Sequence, residues 1–304
     1  MVCTRNRPDE LQGCLESIAC LRDRPAQVVV VDNASAGCDT RNVAEHWHTT
    51  YVIEPVPGLS RARNRGVRTS TSEIIAFVDD DARPDPNWIS ELAREFEDPQ
   101  VMAVAGRALP VTVKTDAQKL YSSLGGYDRG YSSRMVLDRQ TPNWFEMANF
   151  GGIGIGMNMA FRREAFRLWP GFDERLGRGA AVPGNEEHHA FFSLIDRGWR
   201  VIYTPSAIVH HPFPSTWEEF REQQLETLSC GFGYLTFLLR NEPRYRGELL
   251  RFAFRRLRCK AANWRHAPAQ YRRLIPLWRQ VPAMLRCAVR SLAAARRVRP
   301  DAIE

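Results

Sequence analysis

Asp79, Asp80 and Asp81 close the apolar run Ile74-Ile75-Ala76-Phe77-Val78, and three consecutive carboxylates in that position are the residues of this chain best suited to chemistry. A run of this composition reads as a buried strand of a parallel sheet, and ligands of open α/β sheets bind just beyond the carboxyl ends of the strands. Like charges this close raise one another's pKa unless a cation or hydrogen-bond donors offset the repulsion, so a divalent ion is their natural partner. The same residues would also serve as an acidic turn ahead of Pro84 and Pro86, capping the helix that Trp88 to Phe96 suggests. A second constellation is Gly184-Asn185-Glu186-Glu187-His188-His189. Its carboxylates and imidazoles could supply a general base, complement a helix N-terminus, or hold zinc with His210 and His211; the His-Glu-x-x-His spacing is absent and no cysteine lies nearby. The glycines at 151, 152, 154 and 156 look at first like a dinucleotide fingerprint, but Met157 stands where the third glycine is needed and no helix start follows.

These residues need a scaffold, and the hydrophobic pattern supplies one. Leu11, Cys14, Leu15, Ile18 and Ala19 fall on one face of a helix over 9–21, opened by Pro8. Strands are expected at Gln27–Val31, Tyr51–Glu54, Glu73–Val78 and Val101–Ala105, with helical segments between them. Such alternation predicts a largely parallel sheet with right-handed crossovers. Residues 110–150 are less regular and read as an excursion over the site. The pattern resumes with Asn158–Arg163, a helix over 186–197, and strands Arg200–Tyr203 and Ala207–His210. No internal repeat or low-complexity tract is present.

Ahead of the Asp triplet come Cys3-Thr4-Arg5-Asn6-Arg7-Pro8, the amphipathic helix, the strand Val28 to Asn33, and Gly58-Leu59-Ser60-Arg61-Ala62-Arg63-Asn64-Arg65-Gly66. In this order the motifs resemble the family 2 glycosyltransferases, inverting enzymes of the GT-A fold that use nucleotide-sugar donors. The resemblance covers roughly residues 2–215. It implies an α/β fold of GT-A type, a mostly parallel, Rossmann-like sheet flanked by helices. It also implies a nucleoside pocket lined by Thr4, Arg5 and Asp32, and a base or phosphate contact from Arg63, with Arg61 and Arg65 solvated. Asp79 and Asp80 fall in the nucleotide site; Asp81 is the principal ligand of Mg2+ or Mn2+, with Asp79 on ribose or metal and His211 completing the metal shell or packing structurally. Asp32 would equally cap the segment after Ser35. Relatives carry Glu-Asp at the start of the later helix and a further Asp two residues on, which maps to Glu186, Glu187 and His189. The catalytic base is then Glu187, one methylene longer than usual, with Glu186 and His189 as alternates. Several more apolar residues normally precede the Cys-Thr motif, so the first strand is short here or the start codon has been placed late.

Composition sets the remaining bounds. The chain has 304 residues, 44% of them hydrophobic, enough for one sizeable α/β domain plus an appendage. Seven widely spread cysteines without a Cys-x-x-Cys pair favour a reducing compartment. No signal peptide and no apolar run of about 20 residues is found, so a cytoplasmic protein is expected, either soluble or bound peripherally at the inner face of the membrane. From Arg244 onward 16 Lys and Arg face three acids, so the last fifth carries +13 of a total of +7. A boundary near 212–243 therefore separates a catalytic domain, 1–215, from a basic, mainly helical region, 216–304. In that region Phe252, Phe254, Leu257, Trp264, Leu274, Ile275, Leu277, Trp278, Val281, Met284 and Leu285 alternate with arginines. Such a surface suits anionic lipids, with nucleic acid as a competing polyanion and plain packing on the core as the third reading.

The expected function is metal-dependent sugar transfer from a nucleoside-diphosphate sugar to a hydroxyl on a glycan or lipid-linked acceptor, in assembly of a surface polysaccharide or glycolipid. Two rivals are a noncatalytic nucleotide-sugar-binding module and a nucleotidyltransferase with a related sheet; the latter needs a basic phosphate-gripping loop near the N-terminus that the sequence lacks.

Overall fold

The computed structural model describes residues 1–128 and 132–294; the side chains of 257 and 260–265, and with them the apolar positions Leu257 and Trp264, lie outside the described residues. In chain order the elements are β1 (Val2–Thr4), α1 (Pro8–Ala19), β2 (Val29–Asp32), α2 (Asp39–His46), β3 (Thr50–Ile53), α3 (Leu59–Thr69), β4 (Ile74–Asp79), β5 (Arg83–Pro84), α4 (Trp88–Arg94) and β6 (Val101–Pro110). The excursion contributes α5 (Asp116–Ser123), β7 (Met135–Leu137) and α6 (Trp144–Asn149). Then follow β8 (Asn158–Arg162), α7 (Ala165–Leu168), α8 (Glu186–Asp196), β9 (Arg200–His211), α9 (Trp217–Asn241), α10 (Arg246–His266), α11 (Ala269–Leu274) and α12 (Leu277–Ala293).

One sheet runs β3-β2-β1-β4-β8-β6-β9-β5, with β7 also on β9. β1, β2, β3 and β4 pair in parallel, β8 opposes both β4 and β6, and β9 is parallel to β6. Six strands therefore share one direction, and β5, β7 and β8 oppose them. Along β4, Ile75 and Phe77 enter the core on one face while Ile74, Ala76 and Val78 meet the other. That two-sided burial is why the run ahead of the Asp triplet is unbroken by polar residues. α1 covers the second face through Leu11, Cys14, Leu15 and Ile18, and α8 covers the first through Phe191, Phe192 and Ile195.

The two short strands expected at 200–203 and 207–210 are one strand, β9. Its register on β6 shifts between Gly106 and Arg107, which pair with Thr204 and Ile208, so the residues between bulge out, Pro205 among them. The buried Asn158 stitches this irregularity: its Nδ2 donates to the carbonyls of Arg107 and Ala207, both at 2.8 Å, and its Oδ1 accepts from Trp88 Nε1 at 2.8 Å. Replacing Asn158 by Ala strands a buried indole N–H and two carbonyls, and is expected to destabilise the fold by about 2–4 kcal/mol. Denaturant titration of the variant reads this directly; a loss under about 1 kcal/mol would show that the bulge does not depend on the joint.

The C-terminal helices share the core of the sheet. Tyr234, Phe237, Leu238, Leu249 and Cys287 belong to the cluster that holds Phe191 and Tyr203. Phe252 stacks on Phe150 with centroids 3.8 Å apart, and Tyr234 donates to Asn149 Oδ1 at 2.7 Å. All seven cysteines are free. No helix among the described residues is long and apolar enough to cross a membrane.

Candidate active site

The turn after β4 leads into β5, which pairs antiparallel with the end of β9, Arg83 opposite His210. That pairing sets Asp81 beside His211. Ligand atoms of Asp79, Asp81 and His211 lie within 4.8 Å of one another, a group that could hold a metal ion. His211 Nδ1 points at the Pro212 carbonyl at 2.8 Å, and Nε2 is 2.9 Å from Asp81 Oδ1. With the Nδ1 proton used on that carbonyl, the contact to Asp81 needs a second positive centre on Nε2, a proton or a metal. Two carboxylates and one imidazole are a donor set that such an ion accepts. Burial alone would raise Asp81, but His211 and Arg7 outweigh it and hold the carboxyl well below the usual range. Burial raises Asp79 above that range, with Arg63 drawing it down and Asp81 pushing it further up. His210 points away, 3.5 Å from the Pro110 carbonyl.

Asp80, expected in the nucleotide site, is held by two protein donors. Its oxygens accept from Thr4 Oγ1 at 2.7 Å and Arg7 Nη1 at 2.8 Å, and Arg7 Nη1 also reaches Asp81 at 3.0 Å. Burial pushes its carboxyl up to about 6 against the pull of those two donors. Thr4 and Asp80 thus form a buried brace beside Asp81. Asp32, at the end of β2, is buried and accepts from Ser35 N at 2.9 Å and Tyr51 Oη at 2.7 Å. Each carboxylate oxygen keeps a second lone pair for the N–H edge of a base. Tyr51, with the Arg41 guanidinium 5.3 Å from its ring centre, is a partner of Asp32 that the sequence placed only at the start of a strand. Arg5 is exposed just beyond β1.

Arg63, from which the resemblance implied a base or phosphate contact, is buried and held by protein groups. Its Nη1 donates to Glu186 at 2.5 Å, and its Nη2 donates to the Gly156 carbonyl at 3.1 Å and lies 3.6 Å from Asp79. Burial works against the guanidinium charge, but Glu186 and Asp79 outweigh it. Glu186, also buried, is raised by its desolvation and by Glu187 against the pull of Arg63. As an alternate base it faces the wrong way, into the protein. His189 is likewise turned inward, its Nε2 3.9 Å from Glu242 and its ring edge-on to Phe237 at 5.3 Å. Glu187 remains at the cleft: an added Cβ on Gly156 would meet Arg63 Nη2 at 3.1 Å and the Glu187 carboxyl carbon at 3.5 Å. His188 accompanies it, with Nδ1 3.7 Å from Glu187 Oε1 and 3.1 Å from Asn185 Nδ2. Breaking the inner pair with Arg63→Met is expected to cost roughly 3 kcal/mol of stability, and Arg63→Met with Glu186→Leu to recover most of it. Denaturation midpoints decide; a double variant as unstable as the single would mean that the pair is not the cause.

The glycine-flanked motif on α3 acts largely as scaffold. Leu59 N donates to the Arg178 carbonyl at 2.9 Å, Ser60 Oγ to the Leu176 carbonyl at 2.7 Å, and Asn64 exchanges two hydrogen bonds of 2.9 Å with the Phe172 backbone. These bonds fix the loop whose exposed Arg178 adds positive charge beside Asp79. Arg178 stands between Gly177 and Gly179, both at positive φ, and that glycine bracket was the sequence signal for it. Tyr127, also unexpected, lies edge-on to His211 with centroids 4.8 Å apart, and burial pushes its phenol well up.

Comparisons with known proteins give the family and the fold. The chain is 27% identical over 253 residues to the glucosyl-dolichyl phosphate glucuronosyltransferase of Haloferax volcanii, covering 75% of this chain and 77% of that protein. It is 29% identical over 212 residues to the pre-mycofactocin glycosyltransferase of Mycobacterium tuberculosis, covering 68% of this chain but 41% of that one. The crystal structure of S. aureus TarS 1–349 in complex with UDP-GlcNAc superposes with a TM-score of 0.53 at 15% identity, over 77% of this chain and 65% of that one. The model of the family described as glycosyl transferase family 2 matches residues 1–169, more than half of the sequence, and the chain belongs to that family.

Proposed function

We propose that the protein is an inverting glycosyltransferase that moves a sugar from a nucleoside-diphosphate sugar to an acceptor hydroxyl, in assembly of a surface polysaccharide or glycolipid. The observation that carries this is the convergence of Asp79, Asp81 and His211 within 4.8 Å, with Arg63 reaching from Asp79 to the Gly156 carbonyl and Glu187 beside that glycine. Asp79, Asp81 and His211 would hold Mg2+ or Mn2+, which when bound neutralises charge on the departing diphosphate. Asp32 and Tyr51 receive the base, and the exposed Arg178 faces the diphosphate. Glu187 takes the proton from the acceptor hydroxyl as that oxygen forms a bond to the anomeric carbon and the bond to the diphosphate oxygen breaks on the opposite face. Arg63, bonded to the Gly156 carbonyl and to Glu186, ties the turn ahead of β8 to the start of α8, which carries Glu187. The two curated relatives, a dolichyl-phosphate sugar transferase and a pre-mycofactocin glycosyltransferase, support a glycan or lipid-linked acceptor, and the basic C-terminal region supports residence at the inner face of a membrane.

The test is a panel of nucleoside-diphosphate sugars incubated with the protein and Mn2+, with release of nucleoside diphosphate followed over hours. One nucleoside class is expected to be selected, with release abolished by chelation. Binding of donor without any release, with or without acceptor extracts, would favour a noncatalytic sugar-nucleotide module.

A further inference from the structure

α12 is amphipathic in the inverse sense for a surface helix. Gln280, Cys287 and Ser291, polar or small, are buried at 2%, 5% and 4% exposure on the side packed against α9. Trp278, Val281, Leu285, Val289 and Leu292 are spaced three and four apart, so they form one stripe, and they are 51–69% exposed. Arg279, Arg286 and Arg290, seven and four apart, lie along one flank of the stripe, and the Arg279 guanidinium sits 4.8 Å from the Trp278 ring centre. The helix is tied down at its far end by Arg240, which donates to the Leu292 carbonyl. An apolar stripe of this size facing water is costly unless something covers it.

We infer that this outer face of α12 is a docking surface for an anionic lipid bilayer. The inference deepens the membrane placement proposed above, and rests on it for the side of the membrane concerned. Arginines along the flank match lipid phosphates, the stripe reaches the acyl boundary, and Trp278 with Arg279 forms an aromatic and cationic pair suited to the headgroup level. A nucleic acid would use the arginines but gives no reason for exposed Val, Leu and Trp side chains. The inner face, fixed to α9 and through it to the sheet core, makes the docking rigid, so that the orientation of the catalytic cleft above the bilayer is set by the fold.

Full-length protein is co-sedimented with phosphatidylcholine vesicles, and with vesicles in which about 30% is phosphatidylglycerol, at low and moderate salt. Wild type is expected to favour the anionic vesicles and to lose part of that preference with salt. Leu285→Glu with Val289→Glu, at exposed positions away from the cleft, is expected to lower binding by about tenfold or more. Arg286→Gln with Arg290→Gln should remove the preference for anionic vesicles. Donor hydrolysis and monomeric elution should be unchanged in both, which separates docking from folding. Equal binding by wild type to both vesicle types, or wild-type binding by the Glu pair, would overturn the inference. So would a lipid-free dimer that the Glu pair dissociates, since the stripe would then belong to a second copy. Should wild type hydrolyse no donor at all, the glycosyltransfer reading fails while the vesicle result still decides this one.

Discussion

Turnover of the Glu187→Gln variant is expected to fall by about 10²–10⁴-fold with donor affinity unchanged, the range associated with loss of a general base. Gln keeps the volume and the helix start but cannot take a proton. Glu187 is singled out by its surroundings: Glu186 is committed to Arg63 at 2.5 Å, and His189 packs on Phe237 beneath α9. The informative measurement is single-turnover sugar transfer with donor affinity determined in parallel by calorimetry. Full activity in Glu187→Gln combined with a large loss in His188→Ala would move the base to the adjacent imidazole, 3.7 Å away.

Asp81→Ala is expected to abolish the Mn2+-dependent part of donor affinity and to reduce transfer by about 1,000-fold, since a metal at a departing diphosphate contributes several kcal/mol. The substitution removes the carboxylate that His211 approaches at 2.9 Å and Arg7 at 3.0 Å. Asp80 and its brace to Thr4 stay in place, so the variant should remain folded, with thermal stability lowered by the loss of the Arg7 and His211 pairings. Calorimetric titrations of donor with and without Mn2+ provide the readout. An undiminished metal increment in the variant would put the ion elsewhere.

The sequence made the parallel half of the sheet readable because buried strands there are continuous apolar runs ending in functional residues, Val29 to Asp32 and Ile74 to Asp79. The direction of β8 was not readable, because Asn158 to Arg162 is as apolar as a parallel strand would be. One strand read as two at β9 because Pro205 marks a bulge and not an end. Carboxylates at strand ends were visible as types; their partners were not. Arg63 meets Glu186 across 123 residues of chain, and only the fold decides that the pair is inward and that Glu187 is left at the cleft. The outward stripe on α12 was visible as periodicity, but periodicity cannot tell which face is buried.

The hydrogen bonds from α3 to the 172–178 loop bear on how substitutions would act in a cell. Ser60 and Asn64, two residues of the motif by which the family is recognised, each satisfy buried backbone groups more than 100 positions away. Losing either bond raises the population of partly opened molecules, which quality-control proteases remove. Ser60→Ala and Asn64→Ala should therefore lower steady-state protein abundance several-fold, while the molecules that survive retain near-normal specific activity. Immunoblots paired with activity per folded molecule would show whether Ser60 and Asn64 serve cellular longevity and not sugar transfer.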